Sequence, residues 1–227
     1  MPNPFRHISQ SIHIDRGPYS MKMEDGVNAE VTMYGEVVER HPTNWWTGEK
    51  LEGDFIAQDD FLQDLNNLAG AKSLTIRMNS VGGDALVGMV IHNRLRELSA
   101  KGMHLICIVD GAAMSAASVI MSACDEVRIN PASLVMIHRC WGYLWGGYNA
   151  DDLRETANMF DAYDRAAVTT YQRKTKLGED ELLRLMSETA YLTGREAVEK
   201  GFADTVIEDA EPLNIAASAD GRSLFVR

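Results

Sequence analysis

The chain has 227 residues and a mass of 25.2 kDa, 45% hydrophobic and 24% charged, so it can enclose a full core in one domain, and disordered and low-complexity classes are excluded. Its 22 Lys and Arg stand against 33 Asp and Glu, a net charge of −11 without any basic run, which argues against nucleic acid or an anionic membrane as partner. Cys107, Cys124 and Cys140 form neither a disulfide framework nor a CxxC pair, as expected of a reducing, cytoplasmic compartment.

The first 26 residues carry charge throughout and no continuous apolar stretch, so no secretory signal is read there, and residues 1–27 are taken as an N-terminal extension. Alternation in EVTMYGEVV (30–38) predicts a strand, and HPTNWWTGEKLEGDFIAQ (41–58), with its Pro, Gly, Asn and paired Trp, predicts a loop. Phe61, Leu62, Leu65 and Leu68 keep helical spacing behind Asp59 and Asp60, giving a helix over 59–69. SLTIRMN (73–79), a glycine turn and DALVGMVIHNRLRELSA (84–100) read as strand, turn and helix, with Val87, Ile91, Leu95 and Leu98 on one stripe. HLICIVD (104–110) is nearly continuous in apolar residues, as for a strand covered on both faces. The following GAAMSAASVIMSAC (111–124) is shorter than the roughly 20 residues of a bilayer span and reads as a buried small-residue helix near 114–124.

EVRI (126–129) and SLVMI (133–137) are two further strands. Residues 150–174 form the longest helix, with Leu153, Phe160, Ala167 and Tyr171 along one side, acids at its start and bases at its end. A short helix (179–187), a Thr193-capped helix (194–200) and a strand FADTVI (202–207) complete a domain over 28–208, with 209–227 as a tail. The βαβα order predicts an α/β fold with a largely parallel sheet and right-handed crossovers.

No P-loop, dinucleotide fingerprint, HExxH or zinc-spaced Cys/His cluster is present, so neither metal nor cofactor is called for. Three segments that each follow a predicted strand remain: NSVGGD (79–84), DGAAMSAAS (110–118) and VMIHR (135–139). Ligands collect at the carboxyl ends of parallel strands, so the three can converge at one sheet edge. Gly82-Gly83 offers backbone amides to an oxyanion, Ser115 stands near a helix N-terminus, and His138 is the one histidine of six at a strand end beside a Gly-containing segment. Spacing alone leaves plainer alternatives open: Ser115 as a small residue for close helix packing, Gly82-Gly83 as a tight turn, His138 as a satisfied side chain.

NSVGGD before a helix, then GAAMSAAS, VMIH, the long helix and YLTGREAVEKGFAD, in that order, resemble the ClpP family of serine peptidases over roughly 28–208. Ser115 and His138 lie 23 residues apart and the acid region about 50 further on. The resemblance implies a ClpP/crotonase-type spiral of βα units with the long helix projecting. It also implies Ser115 as nucleophile, His138 as general base, and the Gly83 and Ala116 amides as oxyanion donors. The segment before YLTG is about two residues shorter than in housekeeping members; ungapped matching puts Thr189 at the acid position, and a one-residue shift puts Glu188 there, the assignment adopted here. The implied activity is endoproteolysis of unfolded or flexible polypeptides inside a homo-oligomeric ring or two facing rings, with an unfoldase, capsid or scaffold protein as partner. The Trp-containing excursion resembles the phage head maturation branch. The rival readings are a crotonase-like acyl-CoA enzyme and an inactive structural ring protein.

Overall fold

The computed structural model describes residues 11–208. The tail therefore lies outside the described residues. In chain order the elements are β1 (Ile12–Asp15), β2 (Tyr19–Met23), β3 (Asn28–Met33), β4 (Glu36–Val38), β5 (Phe55–Ala57), α1 (Gln58–Asn66), β6 (Ser73–Ser80), α2 (Ala85–Ala100) and β7 (His104–Met114). There follow α3 (Ala116–Met121), β8 (Glu126–Ile129), β9 (Leu134–Ile137), α4 (Ala150–Lys174), α5 (Glu179–Ser187), β10 (Ala190–Thr193), α6 (Gly194–Glu199) and β11 (Thr205–Val206).

One sheet runs β1-β2-β3-β6-β7-β8-β11, antiparallel across the first three strands and parallel from β3 onward. Alternation along β6 buries Leu74, Ile76 and Met78 against the helices, while Thr75 and Arg77 stay on the other, partly exposed face. The 11 residues of β7 are used twice: Ile106–Val109 pair with β8, and Ala112–Met114 pair with β9, which in turn holds β10. Three segments differ from the sequence expectation. Residues 12–23, read as part of an extension, form a hairpin on the sheet because Tyr19, Met21 and Met23 alternate and bury; the Tyr19 hydroxyl and the Arg16 guanidinium both bond the Asp64 carboxylate on α1.

The predicted strand over 30–38 is two strands. At Gly35 the chain passes so near Asp54 that a Cβ would lie 2.5 Å from the Asp54 carbonyl oxygen, and β4 then turns away to pair with β5. Within 202–207 only Thr205–Val206 pairs with β8. Helix α4 has the predicted limits and an Asn149/Asp152 capping box, yet its buried residues (Asp164, Ala167, Val168, Thr170, Tyr171) all lie in the second half, so its first turns project. Among the described residues no helix is long and apolar enough to cross a membrane.

Candidate active site

β7 ends at Met114, and the chain reverses at Ser115 into α3 with φ 52° and ψ −124°, a conformation that a residue with a Cβ holds only under strain. The surroundings fix it there. The Ser115 amide donates to the Met136 carbonyl on β9 at 2.8 Å, and the Ser115 carbonyl accepts from the Ser118 amide at 2.9 Å and the Ser118 hydroxyl at 2.6 Å. His138, the first residue after β9, brings its imidazole Nε2 to 2.8 Å from Ser115 Oγ.

Beside the serine, Gly82 (φ 96°) and Gly83 (φ 141°) form the turn between β6 and α2. A Cβ on Gly82 would lie 2.7 Å from Ser115 Cβ, and one on Gly83 would lie 2.0 Å from the Val37 carbonyl oxygen, so both approaches require glycine. The Val37 amide donates to the Gly82 carbonyl and the Asp84 amide to the Val37 carbonyl, which leaves the Gly83 amide between them without a partner among the described residues. The Ala116 amide, at the first position of α3, is likewise free, as first-turn amides are when nothing caps them.

A cavity of about 540 Å³ opens over Ser115 and His138, walled by Met89, Val119, Met136 and Phe160, with the acids Glu36, Asp84 and Asp164 also on its lining. Met89 and Met136 thus face the site. Cys140 lines it too; burial first, and the nearby Asp164 charge second, push its thiol pKa up, which keeps it protonated and a poor nucleophile. Tyr171 closes the floor: burial raises its pKa, and its hydroxyl shares a 2.7 Å hydrogen bond with Ser118.

The structure does not bring Glu188 onto the imidazole. Both its carboxylate oxygens accept from Arg184 Nη1, at 2.6 and 2.7 Å, a one-turn helical pair. Thr189 follows Glu188 at φ 51°, and the Ala190–Ile137 register places it across the β9–β10 ladder from His138. Neither side chain bonds His138, whose Nδ1 has no partner among the described residues. Arg139, which follows His138 in VMIHR, and Asp164 on α4 were given no role from the sequence; they pair at 3.0 Å.

Ser115, His138 and the Gly83 and Ala116 amides thus meet at the edge of a parallel α/β sheet, where the ends of parallel strands gather ligands. The family model described as Clp protease matches residues 51–210, and the chain belongs to that family. It is 30% identical over 139 residues to an ATP-dependent Clp protease proteolytic subunit from Deinococcus radiodurans, covering 60% of this chain and 66% of that protein. It is 27% identical over 150 residues to the chloroplastic proteolytic subunit 3 from Arabidopsis thaliana, covering 66% of this chain and 48% of that protein. The chain thus spans from about half to just under two thirds of the length of these relatives. A solved ClpP1 point mutant from Listeria monocytogenes superposes with a TM-score of 0.55 at 20% identity, over 67% of this chain and 84% of that one. The fold is of the ClpP/crotonase type.

Proposed function

We propose that the protein is a serine endopeptidase working through an acyl-enzyme. The observation that carries this is the 2.8 Å contact between His138 Nε2 and Ser115 Oγ beside the two unpaired amides of Gly83 and Ala116. His138 takes the Ser115 proton as Oγ attacks the peptide carbonyl. The Gly83 and Ala116 amides receive the charge that develops on the carbonyl oxygen, and the imidazolium then protonates the leaving amine. A water repeats the sequence to release the acyl group. The apolar cavity walls suit an apolar side chain next to the scissile bond.

Glu188 is proposed as the acid that orients the imidazole. It must first exchange Arg184 for His138, and an exposed one-turn ion pair is worth only about 0.3–0.5 kcal/mol, so the exchange is cheap. The substrates are unfolded or flexible polypeptides entering a chamber formed by copies of this chain. The exposed first half of α4, with Leu153 and Met159 on its surface, and the exposed rings of Trp141, Tyr143 and Trp145 supply apolar area for such an assembly. The resemblance of the excursion between β4 and β5, where Trp45 and Trp46 are exposed, to the phage branch is the ground for proposing phage head maturation, with capsid or scaffold protein as substrate; the alternative is a housekeeping role beside an unfoldase, which the names of the relatives suit. The site of action in either role is the cytoplasm or the prohead assembled there.

A fluorophosphonate probe tests the reading: it should label the wild type at Ser115, fail on Ser115→Ala and react much more slowly with His138→Ala. An acyl-CoA enzyme or an inactive ring would not be labelled at all. Full labelling of Ser115→Ala would overturn the assignment.

A further inference from the structure

His138 stands where the chain leaves the sheet. No strand or helix lies between Ile137 and Ala150, and a side chain carried by such a segment is ordinarily poorly fixed. The two residues after it, however, are held from two sides. The Arg139 amide donates to the Met186 carbonyl at 3.1 Å and its Nε to the Ser187 hydroxyl at 3.0 Å, both at the end of α5. From α4, Asp164 Oδ2 accepts from Arg139 Nη1 at 3.0 Å, Asp161 lies 3.8 Å from the same nitrogen, and Asp164 Oδ1 accepts the Cys140 amide at 2.7 Å.

Asp164 is 3% exposed. A carboxylate taken out of water needs full hydrogen bonding to persist, and an apolar residue of similar size ordinarily packs there at lower cost. Here each oxygen is spent on one of the two residues that follow the base. The arrangement fixes a stretch of backbone rather than a substrate.

We propose, resting on the Ser115–His138 reading above, that Asp164 and Arg139 form a clamp that positions the general base. Asp164 is a positioning residue: it acts through the main chain of residues 139 and 140 and sets the height at which the imidazole meets Ser115. This is separate from the orienting acid, which acts on the Nδ1 side of the ring. Misplacing a catalytic group by about 1 Å costs on the order of 100-fold in rate, and it does so at proton transfer rather than at substrate binding. The clamp therefore acts on kcat.

The test uses the full chain with an apolar fluorogenic peptide. Asp164→Asn should lower kcat about 10- to 100-fold with KM within about twofold, and slow fluorophosphonate labelling in proportion. Circular dichroism and light scattering should match the wild type. Arg139→Gln should lose as much, Arg139→Lys should recover most of it, and the double variant Asp164→Asn/Arg139→Gln should be no worse than either single, since both break one unit. If Asp164→Asn does not fold, the partly exposed Arg139 pair of variants decides the matter. Wild-type kcat in Arg139→Gln, or a loss spread equally into KM, overturns the clamp. A wild type that neither labels nor hydrolyses peptide overturns the peptidase reading instead, so the two failures are distinct.

Discussion

Ser118 and Tyr171 share a buried 2.7 Å hydrogen bond that joins α3 to α4. Because the Ser118 hydroxyl also donates to the Ser115 carbonyl, α4 is tied to the strained turn through a single side chain. Tyr171→Phe removes one neutral hydrogen bond and leaves the Ser118–Ser115 bond in place. Its unfolding free energy should fall by about 1 kcal/mol, with peptidase activity within severalfold of wild type. Tyr171→Ala empties a ring-sized volume at the cavity floor and should cost about 3–5 kcal/mol in denaturant unfolding.

Gly83→Ala places a methyl group 2.0 Å from the Val37 carbonyl oxygen at φ 141°, so the turn must move. Loss of one oxyanion donor costs about 100- to 1,000-fold in kcat. That is the expected loss in Gly83→Ala, read by peptide hydrolysis, with the protein still folded by circular dichroism.

Glu188→Gln should preserve folding and lower kcat by about two to four orders of magnitude, the scale of neutralising an orienting acid. Arg184→Ala frees the carboxylate from its present partner and should leave kcat unchanged or raised. Wild-type turnover in Glu188→Gln together with loss in Thr189→Val would move the role to Thr189.

His92 is buried on α2, and its Nε2 has no hydrogen-bond partner. Burial first, and the charges of Arg173 and Arg96 further, hold its pKa below the usual histidine value, while Asn93 opposes them. The folded state therefore binds a proton less readily than the unfolded one. The stability held by neutral His92 is complete above about pH 6.5 and is lost as the pH falls toward the lowered folded value. In urea titrations from pH 7.5 to 5, His92→Leu should show a smaller fall in midpoint than the wild type.

Trp145 is 83% exposed and stands in a run of rings, its centroid 6.4 Å from that of Tyr143, which lies 5.3 Å from Trp141. If copies of the chain cover this surface, Trp145→Asp should reduce the mass found by light scattering at micromolar concentration and leave the far-ultraviolet dichroism of the subunit unchanged. An unaltered mass would remove the ring segment from the interface.

Helices were the legible part of the sequence. The limits of α4 and α5 coincide with the predicted spans, since amphipathic spacing and caps are local signals. Strands β1 and β2 alternate (Ile12 and Ile14; Tyr19, Met21 and Met23) but were hidden in a charged N-terminal segment, β5 lay inside the Gly- and Asn-containing stretch read as a loop, and β10 is a strand because Leu134–Ile137 runs beside it. The meeting of Ser115 and His138 could be anticipated, as both follow strands of one parallel sheet. The pairing of Arg139 with Asp164 could not, for 25 residues separate them and nothing in the pattern of α4 marks Asp164 as facing the residue after His138. The Arg184–Glu188 pair did leave a signal. The four-residue spacing in RLMSE is that of a helical ion pair, and it competes directly with the acid role assigned to Glu188.

The double use of β7 sets the order in which the site can come into being. Its first half can pair with β6 and β8 alone, but the Ser115 turn lacks its anchor until β9 docks and offers the Met136 carbonyl, and the same strand delivers His138. Strand β9 in turn is held by β10, more than 50 residues along the chain, and such distant pairings form late in folding. Without a docked β9, Ser115 therefore has neither its backbone anchor nor the 2.8 Å contact with His138. Under the peptidase reading proposed above, the pairing of hydroxyl and imidazole belongs to the completed subunit alone, because no shorter part of the chain holds both the anchor of Ser115 and the strand that carries His138.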